Sequence, residues 1–185
     1  MSWFDPARIT RLVAVIALAG LTAGCFQPLY GDRTVAGGGA PLIGKMSGVE
    51  VMQISAPAGS RLARVGSEVH NEMIFQLTGG AAAPSPTHQL NIKLAATQLQ
   101  VIVDVTTARP DVQNYGIDAT YTLTDIATGK VVVTGQTFSR VSFDIPGQQQ
   151  RFAGARGMRD AENRAAKVIA ENIRSRLASY FVAGT

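Results

Sequence analysis

The chemistry legible in this chain begins at Cys25, its only cysteine. Cys25 ends the run Leu21-Thr22-Ala23-Gly24-Cys25. The small residues before it suit the narrow site of a signal peptidase. The thiol is the one nucleophilic side chain there able to carry a diacylglyceryl thioether. Arg8 and Arg11 supply a basic n-region, and Leu12 to Gly20 form an uncharged h-region. Together these read as a bacterial secretion signal ending in a lipobox. The apolar run is shorter than the roughly 20 residues that a membrane-spanning helix needs. The expectation is therefore a signal peptide over residues 1–24, followed by a Cys25 that bears N-acyl and S-diacylglycerol groups and no other cofactor. Each buried acyl methylene is worth about 0.8 kcal/mol, so several chains hold the protein at a membrane. Phe26, where an Asp would favour inner-membrane retention, leans the location toward the outer membrane. An ordinary signal peptide with an incidental cysteine is the rival reading, because Thr22 stands where Leu is commonest. With Cys25 alone, intrachain disulfides and thiolate metal sites are excluded.

Other motifs that could do chemistry fail on spacing. Gly39-Ala40-Pro41-Leu42-Ile43-Gly44-Lys45 matches seven positions of a phosphate-binding loop, but Met46 replaces the hydroxyl that would hold magnesium, and no strand precedes it. His70 and His88 lie far apart, and His70-Asn71-Glu72 is not a zinc-protease arrangement; both read as surface histidines. Asp104, Asp111, Asp118 and Asp125 recur every seven residues. An odd spacing along strands sends successive side chains to opposite faces, and no calcium-loop glycine accompanies them. No Gly-x-Ser-x-Gly elbow exists. The expectation is a protein that is not an enzyme and binds no metal. The formal net charge of +4 is too mild for a nucleic-acid signature. Anionic lipid or glycolipid is the better acidic partner.

The elements that would carry these residues follow from hydrophobic period. Residues 25–46 read as a lipidated N-terminus and flexible tether, rich in glycine, and residues 47–185 as one domain. A short strand is expected from Gly48 to Ile54. A helix follows, N-capped by Ser60, with Leu62, Val65, Val69, Met73 and Leu77 on one face and Gly79-Gly80 as its stop. Three strands come next. The first spans His88 to Thr106, where Leu90, Ile92 and Leu94 change parity to Leu99, Val101, Val103 and Val105. That change predicts a bulge or a break near Ala95-Ala96. The second spans Tyr115 to Ile126, with Ile117, Ala119, Tyr121 and Leu123 inward and Asp118 and the threonines outward. Ala127-Thr128-Gly129-Lys130 is a hairpin connection. The third, Val131 to Phe143, alternates poorly and reads as irregular or buried on both faces. Pro146-Gly147 closes the sheet. A last helix runs from Gly157 to Phe181, with Ala161, Ala165, Val168, Ile169, Ile173, Leu177 and Tyr180 as its apolar stripe. Each helix has one apolar stripe, so both cover one face of a sheet. The expected fold is α+β, order β-α-β-β-β-α, with two helices on one face of a four-stranded, largely antiparallel sheet. The other face is polar and free to dock.

Gly24-Cys25-Phe26-Gln27-Pro28-Leu29-Tyr30-Gly31 resembles the start of the alphaproteobacterial lipopolysaccharide-assembly lipoproteins, the LptE family. Phe152-Ala153 with Asp160-Ala161-Glu162-Asn163-Arg164-Ala165-Ala166 is similar to that family's terminal helix. Leu123-Thr124-Asp125 with Gly129-Lys130-Val131 is similar to its central hairpin. The family usually has one more residue between the cysteine and the Phe. The resemblance implies a non-catalytic outer-membrane lipoprotein that plugs the LptD β-barrel one-to-one and assists its assembly. It also implies a part in inserting lipopolysaccharide into the outer leaflet, with binding of that glycolipid. Its phosphates call for Arg or Lys. Arg109 and Lys130, at opposite ends of the middle meander strand, are the first candidates, and Arg151, Arg156 and Arg159 the second. Solvated surface charge is the plain alternative for each. The competing reading of the whole chain is an accessory lipoprotein of an ABC- or MCE-type lipid transporter.

Overall fold

The computed structural model describes residues 42–81, 83, 85–104, 109–144 and 151–183. In chain order the elements are α1 (Leu42–Ser47), β1 (Val49–Val51), α2 (Arg61–Thr78), β2 (His88–Asp104), β3 (Arg109–Asp125), β4 (Val131–Asp144) and α3 (Arg151–Ala183). The fold is α+β, with the strands side by side in the order β1-β2-β3-β4. The signal peptide, Cys25, Thr106 and Pro146-Gly147 lie outside the described residues.

Helix α2 starts and stops where its caps dictate. Ser60 is extended, and its hydroxyl accepts from the Ala63 N–H at 3.1 Å. Gly79 takes the left-handed conformation (φ 70°) and its N–H returns to the Phe75 carbonyl. Val65, Val69, Met73 and Leu77 recur every four residues and are buried. Gly66 is buried too, and a β-carbon there would press on Ile54 at 3.3 Å. Helix α3 buries Ala161, Ala165, Ala166, Ile169, Ala170, Ile173, Leu177 and Ala178. The many alanines let it lie close to the sheet. Each fully buried Leu or Ile adds about 1.5–3 kcal/mol.

The meander β2-β3-β4 is antiparallel, and the sheet is mixed because β1 pairs with β2 in parallel, Val51 beside Leu90. On β3, Tyr115, Ile117, Ala119, Tyr121 and Leu123 are buried against the helices, while Thr120 is exposed. Asp125 closes the β3–β4 turn: its carboxylate accepts from the Thr128 N–H at 2.9 Å. Gly129 takes φ 68° there. The Thr128 N–H bond is the main cause holding the Asp125 carboxyl below its ordinary pKa.

Several expectations are corrected. Among the described residues a helix already stands at Leu42–Ser47, inside the stretch read as tether. Leu42 and Met46 are an i,i+4 pair buried in the core, and one helical turn is too short to display a period. The described residues thus hold three helices. Register in β2 stays continuous through Ala95-Ala96 and shifts between Gln100 and Val103. Leu99 therefore keeps its parity, points away from the helices and is 63% exposed. Strand β4 alternates after all: Val133, Ser139, Val141 and Phe143 are buried and Thr134, Gln136, Phe138, Arg140 and Ser142 exposed. Its pattern is masked because the inner row includes a serine and the outer row a phenylalanine. The last helix starts at Arg151, six residues before the expected Gly157, and Val168 lies outside its apolar stripe, exposed.

The histidines are not plain surface residues. His70 Nε2 sits 3.2 Å from the Val51 carbonyl. His88 is half-buried edge-on to Phe181, centroids 5.1 Å apart, with Tyr180 beyond. Lys45 Nζ donates to the Phe181 carbonyl. The lysine of the apparent phosphate loop thus pins α1 to the end of α3.

Candidate functional site

Helices α2 and α3 run the same way across the sheet. Arg61, at the start of α2, bonds Gln98 on β2. Gly157, near the start of α3, lies against Phe143 and Asp144 at the end of β4. Both N-terminal ends therefore sit where β2 ends and β3 begins. Strand β4 stops at Asp144, opposite Val112, while β2 and β3 continue pairing to Asp104 and Arg109. That two-stranded ribbon runs about 10 Å further, at about 3.4 Å per residue.

This geometry sorts the predicted basic residues. Arg109 is the first residue of β3 and Arg151 the first of α3, with Arg156 and Arg159 exposed on the following turns. These four belong to one end. Lys130 is exposed in the β3–β4 turn, at the other end. Arg109 and Lys130 thus lie at opposite ends of β3. Arg151, Arg156 and Arg159 stand within the helix and not ahead of it.

Sequence reasoning missed Arg61, Arg64 and Glu162. Glu162 of α3 is only 2% exposed. It accepts from Arg64 Nη2 and meets Arg61 Nε at 3.5 Å. Asp160-Ala161-Glu162-Asn163 reads as an ordinary solvated turn. The available signal was position: Glu162 directly follows a stripe residue, Ala161, so it falls at the stripe's border, where α2 meets α3. Below the cluster, burial pushes the Tyr115 phenol above its ordinary pKa, and the nearby Glu162 charge adds to this.

Among the described residues, no helix covers the outer face of the sheet. Thr97, Thr120, Thr134, Gln136 and Ser142 stand exposed on it. Arg140 lies across it, donating to both oxygens of Asp118 at 2.7 and 3.0 Å and to the Ile117 carbonyl at 3.2 Å. Its guanidinium lies 5.4 Å from the ring of Phe138, itself 66% exposed. Beneath Arg140 is Gly116, where a β-carbon would meet the Arg140 Cδ at 2.8 Å and the Thr97 hydroxyl at 2.7 Å. A charged clamp, a row of hydroxyls and one open aromatic make a face suited to a polar partner surface.

A cleft of about 240 Å³ opens beside β1, lined by Val49, Val51, His70, Ile74, Thr78 and Pro86 among others. Its lining holds two titratable side chains, Glu50 and His70, and the His70 Nε2 is engaged with the Val51 carbonyl at 3.2 Å. Among the described residues no group of three His, Cys, Asp or Glu is placed to hold a metal ion, and no helix is long and apolar enough to cross a membrane.

Comparison with solved structures gives the same architecture. A lipoprotein from Caulobacter crescentus superposes with TM-score 0.62 at 17% identity, over 78% of this chain and 97% of that one. The rare lipoprotein B from Shewanella oneidensis superposes with TM-score 0.52 at 13% identity, over 73% of this chain and 96% of that one. At such identities the likeness speaks for the fold. A comparison of the sequence with curated proteins finds no match. The family model LptE, lipopolysaccharide-assembly, matches residues 49–177, which is β1 through most of α3. The chain therefore belongs to the LptE family of non-enzymatic cell-envelope lipoproteins, whose work is lipopolysaccharide assembly.

Proposed function

We propose that this protein is an outer-membrane lipoprotein, acylated at Cys25, that seats inside the LptD β-barrel one-to-one and takes part in delivering lipopolysaccharide to the outer leaflet. The observation that carries this reading is the uncovered sheet face. The lumen of a large barrel is polar and lined by alternating side chains. Hydroxyls, Gln136 and the Arg140–Asp118 clamp match such a wall, and Phe138 supplies one apolar anchor of the kind that dominates interface energy. The basic end around Arg109, Arg151, Arg156 and Arg159 meets the anionic glycolipid, and Lys130 makes a separate contact at the far end.

The test is a mild-detergent pull-down of the full chain, tagged at its C-terminus, from its native outer membrane. A photo-crosslinking residue is placed at Thr120. Recovery of a large barrel in roughly equal amount, crosslinked through position 120, is the expected result. Recovery of inner-membrane transporter subunits instead overturns it and favours the accessory-lipoprotein reading. A barrel recovered but crosslinked only through a control position on α2, such as Phe75, keeps the partner and overturns the surface.

A further inference from the structure

The Arg61–Arg64–Glu162 cluster is poorly explained as a stabilising device. Two cations in the first turn of α2 oppose the helix macrodipole, which favours anions there, and no acidic residue stands in that first turn. A carboxylate 2% exposed loses solvation, and apolar residues of similar volume commonly serve a core as well. What the cluster does achieve is orientation. Glu162 holds Arg64 through Nη2 and draws in Arg61 through Nε. Arg61 Nη1 also donates to Gln98 Oε1 at 3.2 Å, and Gln98 in turn donates to Gln113.

Both guanidiniums nonetheless stay half in solvent, at 55% and 49% side-chain exposure. Each carries five N–H donors in a fixed fork, and few are spent on the protein. One carboxylate against two guanidiniums leaves net positive charge, beside the positive end of α2. Polar capacity is also unused underneath. The Tyr115 hydroxyl is buried without a hydrogen-bond partner, and Glu162 Oε1 faces the Arg61 Nε at 3.5 Å without a hydrogen bond. Both belong to the same electrostatic cluster as the two arginines.

We infer that Arg61 and Arg64 form a phosphate clamp, with Glu162 as its positioning residue, and that its ligand is a phosphate monoester on a glycolipid headgroup. A phosphate takes parallel N–H bonds from each fork, which is the arrangement that planar guanidinium pairs provide best. Gln98 lies on β2 next to the clamp, and its amide, bonded to both Arg61 and Gln113, helps hold the Arg61 fork in place. This inference rests on the lipopolysaccharide reading above and assigns that glycolipid's phosphate to residues outside the basic stretch at the start of α3.

The test uses the full acylated chain in detergent. Its binding to bisphosphorylated lipid A is compared with binding to the same glycolipid stripped of phosphate. The arginine side-chain N–H resonances are followed during titration with inorganic phosphate. Wild type is expected to prefer the phosphorylated form about tenfold. The double variant Arg61→Gln/Arg64→Gln is expected to lose that preference while binding the stripped form unchanged. Glu162→Gln raises the net positive charge, so a mere basic patch would bind phosphate more tightly. A positioning role predicts weaker binding, about threefold, with a broadened Arg64 resonance. An unchanged preference in the double variant overturns the clamp and leaves the lipopolysaccharide reading standing. Equal loss for both glycolipids marks a structural role and also overturns it. Wild type that binds neither glycolipid, yet shows phosphate-dependent arginine shifts abolished in the double variant, keeps the phosphate site and overturns its glycolipid source. No shifts and no binding overturn both readings.

Discussion

Gly116 and Gly135 lie on opposite faces of the same pair of strands, and each is covered by a long side chain from its cross-strand partner. Gly135 of β4 faces Tyr121 of β3 on the helix side. A β-carbon there would lie 2.4 Å from the phenol oxygen and 2.5 Å from the ring carbon bearing it. Gly116 of β3 faces Arg140 of β4 on the open side, with a similar conflict at 2.8 Å. The device is one: a glycine lets a bulky neighbour lie flat along the sheet. The consequence differs with the environment. Tyr121 is buried, rigid and wedged under α3, where burial raises its phenol pKa. Arg140 is half in water and can swing away. The inner glycine is therefore tied to stability, and the outer one to the shape of a surface.

The comparison breaks first if Tyr121→Ala is tolerated. Deleting a buried aromatic costs about 3–5 kcal/mol through lost transfer energy and the cavity left behind. A urea or thermal melt of the purified domain should show that loss directly. An unfolding midpoint near wild type would mean that Tyr121 packs loosely and that Gly135 is incidental. Gly135→Ala is the next step down. The ring has no free path, so the added methyl forces an overpacked arrangement, expected at about 1–3 kcal/mol.

Gly116→Ala should separate the two faces most cleanly. The methyl displaces Arg140 from its bonds to Asp118 and Ile117, yet the arginine finds water instead. Exposed ion pairs are worth about 1 kcal/mol or less, so the melt should shift little. Arg140→Ala should behave alike. Both variants are expected to reduce recovery of the barrel partner while staying folded, and raised salt should weaken the wild-type contact in the same direction. A large loss of stability in Gly116→Ala would erase the distinction between the faces.

The same contrast explains what could be read from the sequence. The inner face announces itself: Ile117, Ala119, Tyr121 and Leu123 alternate cleanly, and the α2 stripe with Ser60 and Gly79-Gly80 gives both helix ends. Features that depend on a partner distant in sequence were not legible. Gly135 breaks the β4 pattern because its covering group is supplied by Tyr121. Phe138 hides the β4 alternation further, because a large apolar residue stands on the open face two positions before Arg140. Leu99 invites a bulge at Ala95-Ala96 because an outward leucine is not anticipated. The candidate site shows the same limit. Arg109 and Arg151 were found as charges and are placed at one end only by the topology. Glu162 is neutral to every local rule and acquires its role from two arginines 98 and 101 positions away. Helix α1 escaped because a single turn has no period.

The smallest expected effect concerns the far end of the inner face, where His88 is the titrating group. It is packed on Phe181 and Tyr180, and its Nδ1 lies 2.8 Å from the Thr87 hydroxyl. Asp125 stands opposite on β3 and the Lys45 ammonium is bonded to the Phe181 carbonyl. Burial lowers the His88 pKa below 6.5, and Asp125 only partly offsets this. The folded state thus holds the neutral ring at a pH where the unfolded chain has already taken up a proton. Stability is full above about pH 6.5 and is lost as pH falls from there through the lower folded value. Thermal midpoints measured from pH 7.5 down to 5 should decline in wild type and stay flatter in His88→Phe, which keeps the aromatic contact and removes the proton. A wild-type midpoint that rises on acidification would mean that Asp125 outweighs burial. The end of α3 would then be held by charge, as Arg140 is on the open face, and the division between an apolar inner face and an ionic outer one would fail at this end of the sheet.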